Sequence, residues 1–130
     1  MNGVHAGQTI WTESHDIAEP RGRRIDFALF NGQVHYAGGE TGSYAGVDVI
    51  DVVDGKEVFS ANTTVLLSDG SVSVQTFVSE TKFREGPGRI GGDGTWRIDS
   101  GTGRFAGLRG RGGTFEWWVD GDRYRAEFRG

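Results

Sequence analysis

The 130-residue chain contains no cysteine, two prolines and one methionine. Without cysteine there is no disulfide framework, no thiolate nucleophile and no sulfur ligand for zinc. No apolar run approaches the roughly 18 residues that cross a bilayer as a helix, so no membrane partner is expected. The opening stretch MNGVHAGQTIWTESHD lacks a basic segment followed by an apolar one, and a cytoplasmic location is the expectation. Apolar residues nowhere recur at helical spacing over eleven or more positions, which argues against a helix bundle. A large excess of one charge is also missing. The net charge is −4, and the nine arginines of residues 84–130 stand among seven acids. That half reads as a solvated face, and no nucleic-acid partner is expected.

Glycine, by contrast, is abundant at 23 residues. Glycine at this density disfavours helix interiors and suits turns and bulges. Five dipeptides carry the strongest local hairpin signal: Asn31-Gly32, Asp54-Gly55, Asp69-Gly70, Asp93-Gly94 and Asp120-Gly121. The stretches between them are rich in β-branched and aromatic residues. They predict strands near 8–14, 23–30, 33–38, 44–53, 56–68, 71–84, 94–99, 104–119 (broken by glycines) and 122–129. With no repeat and no linker, residues 1–130 read as one all-β domain. A meander of about eight strands hides its edges by closing, so the expectation is an eight-stranded antiparallel closed barrel with little or no helix.

Two-residue turns would also fix register. Around Asp54-Gly55, Asp48 faces Ala61 and Ile50 faces Phe59. Around Asp69-Gly70, Ala61 faces Val78 and Phe59 faces Glu80, with Lys82 one row further. Around Asp120-Gly121, Trp117 faces Tyr124. Around Asn31-Gly32, Ala28 faces His35 with Asp26 diagonal to it. The reverse faces are apolar too, carrying Val47, Val49, Leu66, Phe77 and Trp118. A cavity inside and a subunit interface outside would account for both faces, and a homodimer or homotrimer is expected.

The segment Asp99–Phe115, DSGTGRFAGLRGRGGTF, holds six glycines but neither GxxxxGK[ST] nor GxGxxG, and strands flank it on both sides. It is not a phosphate cradle. GTWRIDSGTGRFAGLRGRGGTF instead resembles the Gly-Thr-Gly-x-Phe-x-Gly-x-x-Gly segment of the allene oxide cyclase-like barrels, a group that includes the dirigent proteins. The run from Phe59 to Gln75 and the ending YRAEFRG resemble strands of the same barrels, so that the likeness spans roughly residues 38–130. It implies a calycin-like eight-stranded barrel with a largely apolar cavity, usually oligomeric. In these families the glycine motif is structural, and no activity travels with it.

His5, His15 and His35 lie on separate segments without metal-ligand spacing, so no metal is expected and they read as structural or surface residues. No nucleophile elbow is present. Among carboxylates, Glu80 is placed by register beside Phe59, where desolvation would raise its pKa toward catalytic usefulness; Asp48 shares that face, about 12 Å away. The alternative sets Glu80 in water at a barrel mouth. IWTESHD resembles the opening strand of the plant cyclases, whose polar residues point at the bound epoxide; this makes Glu13 the third catalytic candidate, against a surface-strand reading. Asp26 with His35 is either a dyad or a solvent-facing pair. Trp11, Tyr36, Phe59, Trp96, Trp117 and Tyr124 are candidates to bind ligand, with barrel filling as the alternative role. The function expected is a cyclase, isomerase or lyase acting without cofactor on a hydrophobic or polycyclic small molecule. The alternatives are a non-catalytic binding barrel and a structural subunit docking on a partner enzyme.

Overall fold

The computed structural model describes every residue except 18–21, 81–82 and 85–88. Among the described residues nine strands run in chain order: β1 Gly3–Ile17, β2 Arg23–Tyr36, β3 Thr41–Val53, β4 Lys56–Leu67, β5 Val72–Ser79, β6 Phe83–Arg84, β7 Arg89–Gly101, β8 Gly112–Asp120 and β9 Arg123–Arg129. β1 to β5 pair antiparallel in succession, as do β6 to β9; β9 returns to β1, and β5 pairs with β7. The ladder therefore closes as an eight-stranded barrel. β6 is a two-residue addition beside β7. Among the described residues the only helix is a three-residue 3₁₀ turn, Gly103–Phe105, and none is long and apolar enough to cross a membrane.

Two of the five hairpin signals are not turns. Asn31-Gly32 lies inside β2 and Asp93-Gly94 inside β7, so the strands expected at 23–30 and 33–38 are one. Gly32 is needed there for close approach, not for a turn. It pairs with Gly7 of β1 and with Tyr44 of β3, all three facing inward. A Cβ at Gly32 or Gly7 would sit 2.6 Å or 2.7 Å from the Tyr44 hydroxyl and closer still to the opposing backbone. β1 begins at Gly3, earlier than the apolar run suggests, because Gly3, His5 and Gly7 face inward without making an apolar stripe.

Asp54-Gly55 is the expected two-residue turn, with φ 51° and 79°, and the rows Asp48–Ala61 and Ile50–Phe59 form as the register requires. The β4–β5 turn departs from expectation. Gly70, at φ 88°, ends a three-residue turn in which Gly70 N–H donates to the Leu67 carbonyl (3.0 Å) and Ser71 N–H to Asp69 Oδ1 (2.9 Å). One extra residue in the turn shifts the register by one. Ala61 then faces Phe77, not Val78, and Phe59 faces Ser79, not Glu80. Phe77 moves inside and Glu80 out; Lys82 lies outside the described residues. At the β8–β9 turn the central residues are Gly121-Asp122, so Trp117 faces Ala126 in place of Tyr124. That shift preserves parity, and both aromatics stay inside.

The barrel is filled at one end and open at the other. Val34, Val65, Ile98, Phe105 and Phe128 are fully buried at the filled end. The 3₁₀ turn drops Phe105 against Tyr36 (ring centroids 6.0 Å), and Arg104 ties its outer side to Asp69 (2.7 Å) and Glu40 (3.2 Å). The glycine motif is thus a plug.

Gly32→Ala is expected to lower stability by about 1–3 kcal/mol, the usual cost of overpacking. Urea unfolding with an unchanged midpoint would show that the Tyr44 approach does not depend on the glycine.

Candidate functional site

A cavity of about 320 Å³ occupies the open end of the barrel. Phe30, Ile50, Phe59, Phe77, Phe115 and Trp117 are among its apolar lining, and His5, Asp48 and Tyr124 are among its polar members. This size and mostly apolar character suit one small ligand inside an eight-stranded barrel.

Strand alternation builds the polar floor. On β3, Tyr44, Gly46, Asp48 and Ile50 share the inward face, and Asp48 is flanked across the ladder by Ala28 and Ala61. Two alanines offer no donor, and Asp48 Oδ1 is buried without a hydrogen-bond partner. Desolvation raises its pKa from 3.8 to about 7. Tyr124 on β9 pairs with Gly7, Gly7 with Gly32, and Gly32 with Tyr44, so the two phenols meet across a pair of glycines. Their ring centroids are 6.0 Å apart, and both hydroxyls are buried outside hydrogen-bond geometry. Burial pushes both phenols above their ordinary pKa. For Tyr124, Tyr44 and Asp48 add to the rise; for Tyr44, a side-chain interaction with Tyr124 lowers it in part and Asp48 raises it.

His5 stacks on Tyr44 at 4.3 Å and 18°, with Nε2 unpartnered. Burial lowers its pKa to about 3, so the ring is neutral at physiological pH. Nearer the mouth, Trp117 Nε1 donates to Ser79 Oγ (2.9 Å), which donates to the Asp93 carbonyl (2.6 Å). Asp26 is held by Arg24 Nε at 3.0 Å. Among the described residues no three His, Asp or Glu side chains gather as a metal site would need.

Of the three carboxylates singled out in the sequence, the structure places Asp48 alone in the cavity. Glu80 is exposed beyond the end of β5, for the register reason given above. Glu13 lies on the exposed part of β1 beside His15 (3.3 Å). An extra residue at Ile10, between the pairs Thr9–Phe30 and Trp11–Leu29, reverses the parity of β1 and turns both Trp11 and Glu13 outward. Phe59, Trp117 and Tyr124 line the cavity. Tyr36 and Trp96 are buried in the packed core, and Trp11 is 48% exposed. Asp26 faces in and His35 out, so they form no dyad.

The sequence reading did not reach His5, Tyr44 or Ser79. Tyr44 was accessible once Asp48 was placed inward, since it lies four residues earlier on the same strand face. His5 sits on a strand start that no turn announces.

No family model matches the chain, and no curated protein matches its sequence. Among solved structures it is similar to the conserved protein of unknown function RPA1785 from Rhodopseudomonas palustris. The TM-score is 0.73 at 17% identity, over 98% of this chain and 95% of that one. At that identity the likeness is one of fold.

The Asp48 shift has a definite sign. The folded state holds this proton more tightly than the unfolded chain, so ionising Asp48 costs stability as pH rises from about 4 through about 7. His5 acts oppositely, since its folded pKa is depressed: its contribution is present above about 6.5 and lost as pH falls toward 3. Comparison with Asp48→Asn isolates the carboxyl. The variant is expected to equal the wild type near pH 4 and exceed it by on the order of 2 kcal/mol at pH 8, allowing for solvent at the open cavity. Parallel denaturation curves across that range would contradict the placement.

Proposed function

We propose that the protein is a cofactor-independent acid–base catalyst, of the cyclase, isomerase or lyase kind, for a small hydrophobic or polycyclic molecule held in the barrel. The observation carrying this reading is the Asp48 carboxyl, set among apolar walls with an unpartnered oxygen and a pKa of about 7. A carboxyl at that pKa is present in both forms at neutral pH. It can take a proton from one atom and return it to another without an outside reagent. Phe59, Phe115 and Trp117 would hold the reactant in a productive shape, and positioning supplies a large part of the acceleration in such a site. A cytoplasmic location belongs to the same proposal; a chain without cysteine does not need an oxidising compartment to fold.

A second reading, a non-catalytic binding barrel, is favoured by the depth at which His5 and Tyr44 lie, each 3% exposed, below where a reacting atom would sit. The two readings separate on one substitution. The probe is 2-tetralone, an apolar bicyclic ketone whose α-hydrogens exchange in heavy water. The wild type is expected to accelerate exchange about 10²-fold or more, with a rate rising through pH 7, as general-base catalysis allows. Asp48→Asn should remove the acceleration while the neutral dye N-phenyl-1-naphthylamine still binds within a few-fold. Dye binding with no acceleration by the wild type would leave the binding barrel as the function.

A further inference from the structure

We infer that the ligand is an uncharged, mostly apolar ketone whose oxygen accepts a hydrogen bond from Tyr124, with Asp48 beside the adjoining carbon. This rests on the acid–base reading and names its substrate class. Three features carry it. Tyr124 lines the cavity, its hydroxyl is buried with no partner in hydrogen-bond geometry, and a buried donor left unpaired costs free energy that a ligand acceptor reaching it would recover. Tyr44 stands behind it, 6.0 Å between ring centroids, as a second phenol able to hydrogen-bond the Tyr124 oxygen when that hydroxyl turns to the ligand. Behind both, a neutral His5 stacked on Tyr44 leaves the floor without a full positive charge. Such a floor favours a neutral acceptor over a carboxylate, and an ionised Asp48 would repel an anion outright.

The step balances within the site. The Asp48 carboxylate takes the α-proton, the C–H electron pair becomes the new C=C bond, and the carbonyl π pair moves to oxygen. Tyr124, backed by Tyr44, holds the developing charge there, as donors aimed at an oxyanion do. Asp48 returns the proton to another atom of the same skeleton. The net change is an isomerisation, with nothing oxidised or reduced.

The test compares 2-tetralone with tetralin, the same skeleton without oxygen, by displacement of N-phenyl-1-naphthylamine. Tyr124→Phe is expected to weaken 2-tetralone about tenfold and leave tetralin within twofold. Removing an unpartnered oxygen should not lower the melting temperature. At pH 8, tetralin-2-carboxylate should bind weaker than either and improve in Asp48→Asn. Equal losses for tetralone and tetralin, or none for either, would overturn the oxygen site. The acid–base reading would still stand if 2-tetralone exchange remained dependent on Asp48. If exchange were absent while the Tyr124 effect held, the oxygen site would survive in a binding barrel.

A separate observation concerns the outer edge of β1. The last β1–β9 pair is Gln8–Arg123, and Thr9 N–H donates to the Asp122 carbonyl (2.7 Å). From Ile10 to Ile17, β1 pairs with β2 alone among the described residues. An unprotected edge of this length is a template for another strand. We infer that it pairs with the same edge of a second copy across a two-fold axis. Antiparallel partners share a face, so the axis must pass through a residue. With the axis on Ser14, Glu13 meets His15 of the partner subunit and Trp11 meets Ile17 of the partner subunit. An axis on Glu13 would oppose two acids, and one on Thr12 would set Trp11 against Glu13. The apolar row Trp11–Leu29–Val47 then continues along the outside of the joined sheet. Sedimentation is expected to give twice 14.1 kDa at micromolar concentration. Glu13→Lys, on an exposed position, should weaken the dimer at least tenfold without changing the circular dichroism. A 14.1 kDa species throughout, or a dimer indifferent to Glu13→Lys, would refute the pairing.

Discussion

The pairing of β5 with β7 is the constraint on which the other features rest. Once that ladder closes, each residue's face is set by alternation alone, and one face becomes an enclosed interior. Eight strands leave a lumen that large side chains can just fill. Whether it is packed or hollow at a given height then depends on the residues of that row. Phe105, Phe128, Ile98 and Trp96 pack one end. Toward the other, Ala28, Ala61 and Gly94 stand among the aromatics, and the lumen opens into the cavity.

The polar floor follows from the same geometry. Gly7 and Gly32 give up the volume of two side chains so that two tyrosines can approach each other across them. Around Asp48 the neighbours are small and donate nothing. The result is a cluster of polar atoms that the fold itself does not satisfy, in a region where each such atom carries a desolvation penalty. The surface shows the opposite arrangement. Arg23 grips Asp51 at 3.0 Å, Arg97 grips Asp99 at 2.9 Å, and Arg125 meets Glu127 at 3.1 Å. Paired charges outside and unpaired polar groups inside mark the cavity as the place where the chain departs from purely structural needs.

The architecture was readable because strand length, turn chemistry and the lack of helical period agree. The interior row Asp48–Ala61 and Ile50–Phe59 was readable because Asp54-Gly55 is the turn its residues announce. Local sequence failed where one residue decides parity. Asp69-Gly70 looks the same whether two residues or three make the turn, yet the extra one exchanges Glu80 for Ser79 in the cavity. The bulge at Ile10 likewise carries Trp11 and Glu13 to the outside, and nothing in IWTESHD advertises it. Gly32 shows the third kind of miss. A glycine serving a distant tyrosine is locally indistinguishable from one serving a turn.

The depth ordering of the floor also determines how the cavity behaves as an electrical environment. His5 stays neutral down to strongly acid conditions, and both phenols keep their protons well into the alkaline range. Of these four deep groups, Asp48 alone changes state near neutrality. The floor therefore has two electrostatic settings, neutral and singly negative, with no competing ionisation to blur them. At the floor of a cavity whose lining also includes the Asp26 and Glu57 carboxyls, the surrounding medium's acidity is felt near neutrality through this one switchable charge.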